Sequence, residues 1–259
     1  MTDHAAAADL LLSNWAATTR IAELPDGLRP RSRGEGYDAA AAVAARSGST
    51  VAGWKIAATS EAGQKHINVD GPIIGRILKS RLLSEGASVT LGDNIMRVAE
   101  AEFAFGFARD LPRRATPYTQ DEVLDAVGSL HLSIEVPDSR YVDFTKVGAA
   151  QLIADTACAS WLVLGPAVNR PWRDLDLSTH AVKGLLNGAV KAEGTGKAVL
   201  GDPRKALTWF VNEASTYCGG VSAGQFVTTG TCIVPMAVTP GDEATIDYGV
   251  LGTISCRIA

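Results

Sequence analysis

The stretch Arg97-Val-Ala-Glu-Ala-Glu-Phe-Ala-Phe-Gly-Phe107 decides how this chain is read. Residues 98–107 are apolar or aromatic apart from two glutamates and a glycine, the composition of a largely buried strand. Side chains alternate faces along a strand, so Glu100 and Glu102 project to the same side. Two carboxylates side by side repel each other unless a cation sits between them, and a hard divalent ion with oxygen ligands meets that need. A second strand-like run, Leu132-Ser-Ile-Glu-Val136, follows one helix later and carries Glu135 on the face opposite Ile134 and Val136. Three carboxylates around one ion leave open positions for water or substrate oxygens. That donor set matches Mg2+ or Mn2+ rather than zinc, which prefers His and Cys. The competing reading of the pair is the solvent face of an edge strand, where alternating glutamates are common.

Upstream, Val51-Ala-Gly-Trp-Lys-Ile-Ala57 holds one charge, Lys55, in an otherwise apolar run. A lysine there needs a partner if it is buried. It is then placed to stabilise developing negative charge or to move a proton; otherwise it is an outward-facing strand lysine. Asp70, in Asn68-Val-Asp-Gly-Pro72, reads locally as a turn residue. Asp138-Ser-Arg140 reads as a turn after the Glu135 strand, with a local Asp138–Arg140 contact.

Residues 1–50 read as a helical N-terminal region: one helix over about 5–18, a Pro/Gly/Arg loop from Pro25 through Gly36, and an alanine-rich helix from Asp38 to Arg46. Residues 51–259 read as a β-rich core. Further strands are expected at 161–164, 226–229, 232–238, 244–248 and 253–258. Thr119-x-x-Glu122 is a capping box, Asp202-Pro203 an N-cap followed by a first-turn proline, and Asn187-Gly188 a hairpin turn.

The 259 residues are 46% hydrophobic and 20% charged, with a net charge of −4. An overall basic nucleic-acid footprint is absent, and no apolar run reaches the roughly 18 residues of a membrane span. Asp3 and Asp9 interrupt the apolar opening, which also lacks the basic start of a signal peptide. The four cysteines form no CxxC or CxxxC pair, so thiols in a reduced, cytoplasmic setting are expected. There is no GxSxG elbow and no GxGxxG or GxxxxGK[ST] loop.

Taken in order, Gly53-Trp-Lys-Ile56, Asp70-x-Pro72-x-x-Gly75, Glu100-x-Glu102, Glu135-x-x-Asp138-Ser-Arg140, Ala154-Asp155, Leu200-Gly-Asp-Pro203 and Thr229-Gly230 resemble the 2-keto-4-pentenoate hydratase and 4-oxalocrotonate decarboxylase family of the fumarylacetoacetate hydrolase superfamily. The resemblance spans about residues 8–258. It implies an α+β fold, a mixed β-sandwich roll with a small helical N-terminal region. It also implies an Mg2+ or Mn2+ site on Glu100, Glu102 and Glu135, with Lys55 and Asp70 in catalysis and Ser160 hydrogen-bonded to substrate or water. The implied activity is a lyase that adds water to a 2-hydroxy-2,4-dienoate, or its 2-oxo tautomer, in aromatic-compound catabolism. A 4-oxalocrotonate-type decarboxylase, an acylpyruvate-type C–C hydrolase and a non-catalytic partner subunit are the alternatives. Arg76 and Arg140 are the candidates for gripping a second substrate carboxylate. A homo-oligomer is expected, with association to a sister decarboxylase as a further partner, and no nucleic acid or membrane.

Overall fold

The computed structural model describes residues 2–259. Its centre is a sheet of eight strands. Along the main path they run Ile73–Leu78, Val51–Ala57, Phe226–Thr231, Val98–Phe107, Val127–Val136, Trp161–Ala167 and Leu82–Ser84, with Met236–Ala237 pairing a second time to Val98–Phe107. Most neighbours are antiparallel; Val51–Ala57 with Phe226–Thr231 and Leu82–Ser84 with Trp161–Ala167 are parallel. A second sheet, Ala189–Thr195, Ala181–Leu186, Glu243–Asp247, Thr253–Ile258 and Ser88–Val89, packs against the first. The architecture is the α+β mixed β-sandwich roll the sequence led us to expect.

Alternation in the central strand sorts the layers. Phe103 and Phe105 share one face and are fully buried. Phe103 meets Tyr248, after the Glu243–Asp247 strand, at a ring-centroid distance of 5.1 Å. The Tyr248 hydroxyl donates to the Glu102 carbonyl at 2.9 Å, with the Ser133 carbonyl 3.3 Å away, so one side chain ties the second sheet to two central strands. The helix Pro203–Tyr217 covers the neighbouring part of this face, with Phe210 against Trp54. Asp202 caps that helix through the Arg204 amide and Pro203 opens it. The opposite face carries Lys55, Glu100, Glu102 and Glu135.

Local signals held where side chains act on their own backbone. Thr119 and Glu122 form the expected capping box, and Asn187-Gly188 turns the hairpin with both residues at positive φ, 52° and 79°. The second N-terminal helix runs Arg33–Arg46, beginning inside the expected loop, because Ser32 caps it through the Glu35 amide while Glu35 accepts from the Arg31 amide. Of residues 232–238 only Met236–Ala237 is strand; Cys232 and Ile233 instead follow the central sheet around a bend. The N-terminal helices are joined to the rest of the chain by a core of Ala7, Ala8, Leu11, Ala39 and Val43 with Tyr141 and Ala154. All four cysteines are free. Among the described residues no helix is long and apolar enough to cross a membrane.

Tyr248→Phe removes the hydroxyl that joins the sheets, while the Glu102 carbonyl keeps the Ser133 hydroxyl as a donor at 2.9 Å. Equilibrium urea unfolding is expected to show a loss of about 0.5–1.5 kcal/mol with an unchanged slope.

Candidate functional site

Glu100 and Glu135 are direct cross-strand partners, and Glu102 lies two residues along the same face, opposite Ser133. One oxygen from each of the three carboxylates lies within 4.8 Å of the others. Glu135 and Glu102 are 0% and 1% exposed and Lys55 4%. Lys55 enters from the strand on the other side of Phe226–Thr231 and places Nζ 3.0 Å from Glu135 Oε1. It also donates to the Ala157 carbonyl at 3.1 Å.

A bulge between Thr228 and Thr231 completes the wall. It turns the Gly230 amide onto Glu102 Oε2 at 2.9 Å. Gly230 holds φ at +97°, and a Cβ there would come 2.2 Å from Thr59 Oγ1, so glycine is required on both counts. Glu102 Oε1 and Glu135 Oε2 have no partner among the described residues, and Glu135 Oε1 has only the Lys55 ammonium.

Buried acceptors normally have partners, and leaving two of them bare is costly. The charges make the same point: three carboxylates and one ammonium sum to −2 in a dry environment. Burial first, then repulsion from Glu135, raises Glu100 to about 7. Burial and repulsion from Glu135 and Glu100 raise Glu102 well above the ordinary range. Burial alone would depress the Lys55 ammonium, but Glu135, Glu100 and Glu102 together outweigh it and hold its pKa above that of free lysine. Bare oxygens, a surplus of −2 and an all-carboxylate donor set fit one hard divalent cation of the Mg2+ or Mn2+ type. The nearby thiols are no competitors, since burial pushes Cys158 up to about 12 and Cys232 higher still.

The cluster opens through Glu100 and Lys55 onto a cavity of about 920 Å³. Its walls are mostly apolar, with Ile67, Ile95, Met96, Phe144, Ile233 and Val234 among them. Apart from Lys55, its basic lining residues are His66 and Lys197, both exposed. No sequence signal marked these two, because segments far apart in the chain, among them Glu61–His66 and Gly196–Ala198, converge to form the mouth.

The other expected site residues lie elsewhere. Asp70 is on an exposed turn, its side chain 89% exposed and its carboxylate 3.6 Å from Arg33 Nη1, outside the lining of this cavity. Ser160 lines a separate cavity of about 160 Å³ beside Trp15 and Trp161. Arg76 lies over the Trp54 ring in another cleft. Asp138 pairs with Arg20 at 2.8 Å and Arg140 with Asp155, so the expected local Asp138–Arg140 contact gives way to two long-range pairs. His131, on the strand that carries Glu135, also lies outside the lining of the large cavity, held by Ser129 and the Gly165 carbonyl.

A family model described as fumarylacetoacetate (FAA) hydrolase C-terminal matches residues 57–259. The chain is 31% identical to 2-keto-4-pentenoate hydratase 1 of Dechloromonas aromatica (strain RCB), over 98% of this chain and 96% of that protein. It is 31% identical to a 4-oxalocrotonate decarboxylase of Pseudomonas putida, over 81% of this chain and 78% of that one. Among solved structures, the 4-oxalocrotonate decarboxylase from Pseudomonas putida G7, complexed with magnesium and adipate, matches with a TM-score of 0.87 at 26% identity, covering 99% of this chain and 97% of that one.

The raised carboxylates set a pH dependence. Between the ordinary glutamate value of 4.5 and about 7, the metal-free folded state binds more protons at Glu100 than the unfolded chain does. This contribution to stability is therefore present at low pH and lost as pH rises through that window. Thermal melts of the metal-stripped protein from about pH 5 to pH 8 should show the decline. Glu100→Gln should flatten it, and saturating MgCl2 should raise the melting temperature most at the alkaline end. A pH-independent melt that ignores Mg2+ would sink the charge argument.

Proposed function

Because the chain belongs to the fumarylacetoacetate (FAA) hydrolase C-terminal family and is an enzyme of the lyase kind, we propose that it is a metal-dependent hydratase. It converts a 2-hydroxy-2,4-dienoate, through its 2-oxo tautomer, to a 4-hydroxy-2-oxo acid. The supporting observation is the buried cluster of three carboxylates and one ammonium, formal charge −2 when all are ionised, facing an apolar cavity. The cluster takes a chelating cation and the polar head of a 2-oxo acid; the apolar walls take an unsaturated tail.

Glu100, Glu102 and Glu135 would hold the Mg2+ or Mn2+ ion. When bound, such a cation polarises the C2 oxygen and makes the dienoate an electron sink. The residues of the chain do the rest. Gly230, through its amide, holds the Glu102 carboxylate in place within the cluster. Lys55 carries a proton on Nζ beside the head of the substrate, where the ammonium stabilises negative charge developing on the C2 oxygen. The apolar walls of the cavity exclude bulk water from the conjugated chain, strengthening both interactions. Overall one proton is added at C5 and one hydroxyl at C4, the elements of a single water. Asp70 and Ser160 do not line this cavity and take no step in this scheme.

A decarboxylase of the 4-oxalocrotonate type is the second reading, favoured by the structural match to such an enzyme. The same electron sink stabilises the carbanion left by CO2 loss. The distal end of the cavity bears on the substrate's chain. A dicarboxylate needs a second basic grip; Arg76 and Arg140 do not line the cavity, which leaves Lys197 and His66, both exposed. This supports a monocarboxylate; the reaction itself is read from the product, since one relative is named 2-oxo-hept-4-ene-1,7-dioate hydratase.

Metal-stripped protein incubated with 2-hydroxypenta-2,4-dienoate should lose the dienoate chromophore only after Mg2+ or Mn2+ is added. The product should be heavier by one water, without CO2. Turnover of oxalocrotonate with CO2 release, and none of the dienoate, would transfer the assignment to decarboxylation. Lys55→Met should lower kcat by about 10²–10³-fold, the usual cost of one preorganised donor at a developing oxyanion. It should keep or tighten Mg2+ binding by titration calorimetry, because the cluster becomes more negative; a variant with normal kcat would remove Lys55 from the chemistry.

A further inference from the structure

Lys55 is held from two sides, and only one of them is the carboxylate cluster. The other is the Ala157 carbonyl, which sits in an unusual turn. Thr156, Ala157 and Cys158 are three consecutive non-glycine residues with φ of 51°, 52° and 61°. Left-handed backbone is disfavoured for each of them, most of all for a β-branched threonine, and such a run persists only where its surroundings enforce it.

The surroundings are a buried arginine. Arg140 donates to the Ala159 carbonyl at 3.1 Å, to the Asp155 carbonyl at 2.5 Å and to Thr156 Oγ1 at 3.3 Å. Its Nε donates to Asp155 Oδ1. The other Asp155 oxygen accepts from the Arg140 amide at 3.0 Å and from Ser139 Oγ at 2.9 Å. The planar fork therefore grips the chain both before and after the turn, which the single point charge of a lysine cannot do. Two further features press the turn into place. Trp15, on the first N-terminal helix, covers the guanidinium at 4.2 Å. Gly75 lets the Thr156 carbonyl approach to a point 1.8 Å from where a Cβ would stand.

We propose that Arg140 and Asp155 are positioning residues. They enforce the left-handed turn so that the Ala157 carbonyl fixes the Lys55 ammonium at the edge of the carboxylate cluster. Without that second anchor the ammonium is drawn by Glu135, Glu100 and Glu102 toward the centre, where the cation would bind. The consequence for turnover rests on the assignment of Lys55 proposed above; the consequence for the position of Lys55 does not.

The test uses the full chain, metal-free, with 15N-labelled lysine. Lys55 is buried and doubly anchored, so its ammonium should give a slowly exchanging NMR signal, identified by its disappearance in Lys55→Met. In Arg140→Lys and Asp155→Asn that signal should shift or broaden beyond detection. Trp15→Leu touches the clamp only from its outer face and keeps the experiment decisive if the buried variants do not fold; it should give a smaller shift. In the metal-loaded enzyme, kcat should fall by about 10²-fold in Arg140→Lys, as for a small misplacement of a catalytic group, while KM changes little. A wild type without the signal, or folded variants in which it is unmoved, overturns the proposal whatever the substrate proves to be. A moved signal in a protein that turns over no dienoate leaves the clamp standing and removes the hydratase reading instead.

Discussion

Removing three carboxylates from water is the constraint around which this protein is built. Glu100, Glu102 and Glu135 share one face of the central sheet, and a single ammonium balances only part of their charge. Coulomb repulsion over a few ångströms in a poorly screened interior is large. The folded chain relieves it in three ways: Lys55 pairs with Glu135, the Gly230 amide bonds Glu102, and protonation is favoured at Glu100 and Glu102. Glu102 Oε1 and Glu135 Oε2 are still left bare. The sheet thus stores an electrostatic imbalance of the kind that one hard divalent cation would offset.

The rest of the architecture serves to keep that cluster rigid and dry. The aromatic face of the central strands is locked by Tyr248 and by the helix Pro203–Tyr217, so the strands bearing the glutamates cannot slide in register. A one-residue slip would turn all three carboxylates to the wrong face. On the site face, the cover is supplied by the segment 155–159, itself gripped by Arg140 and roofed by Trp15. This gives the first N-terminal helix a role beyond packing. Through Trp15 it covers the arginine that grips a turn whose carbonyl touches Lys55.

The parts of the site that were legible in the sequence depend on short-range geometry. Alternation along a strand requires Glu100 and Glu102 to share a face, and the strand runs Val98–Phe107 as the composition indicates. An isolated charge in Val51–Ala57 identified Lys55 as a residue needing a partner, and the partner is Glu135. Thr119 with Glu122, Asp202 with Pro203, and Asn187 with Gly188 acted as local signals because their side chains or dihedral preferences serve their own backbone. The same locality failed at Ser32, where a cap inside a Pro/Gly/Arg loop starts the helix early, and at residues 232–238, whose β-rich composition is spent on a bend.

By itself, then, the amino-acid order determined the strands that carry the glutamates and Lys55, the common face of the two central glutamates and, through its resemblance to a known family, the sandwich that carries them. Those properties follow from dihedral preference and from a period of two, which neighbouring residues impose on one another. Only the tertiary structure decided that Glu135 stands directly across from Glu100, that Asp138 and Arg140 find Arg20 and Asp155 rather than each other, and that Asp70 and Ser160 lie off the cavity. Register and long-range pairing are set by which charges can be buried together at least cost. That is a property of the whole packed chain, to which no short stretch of sequence has access.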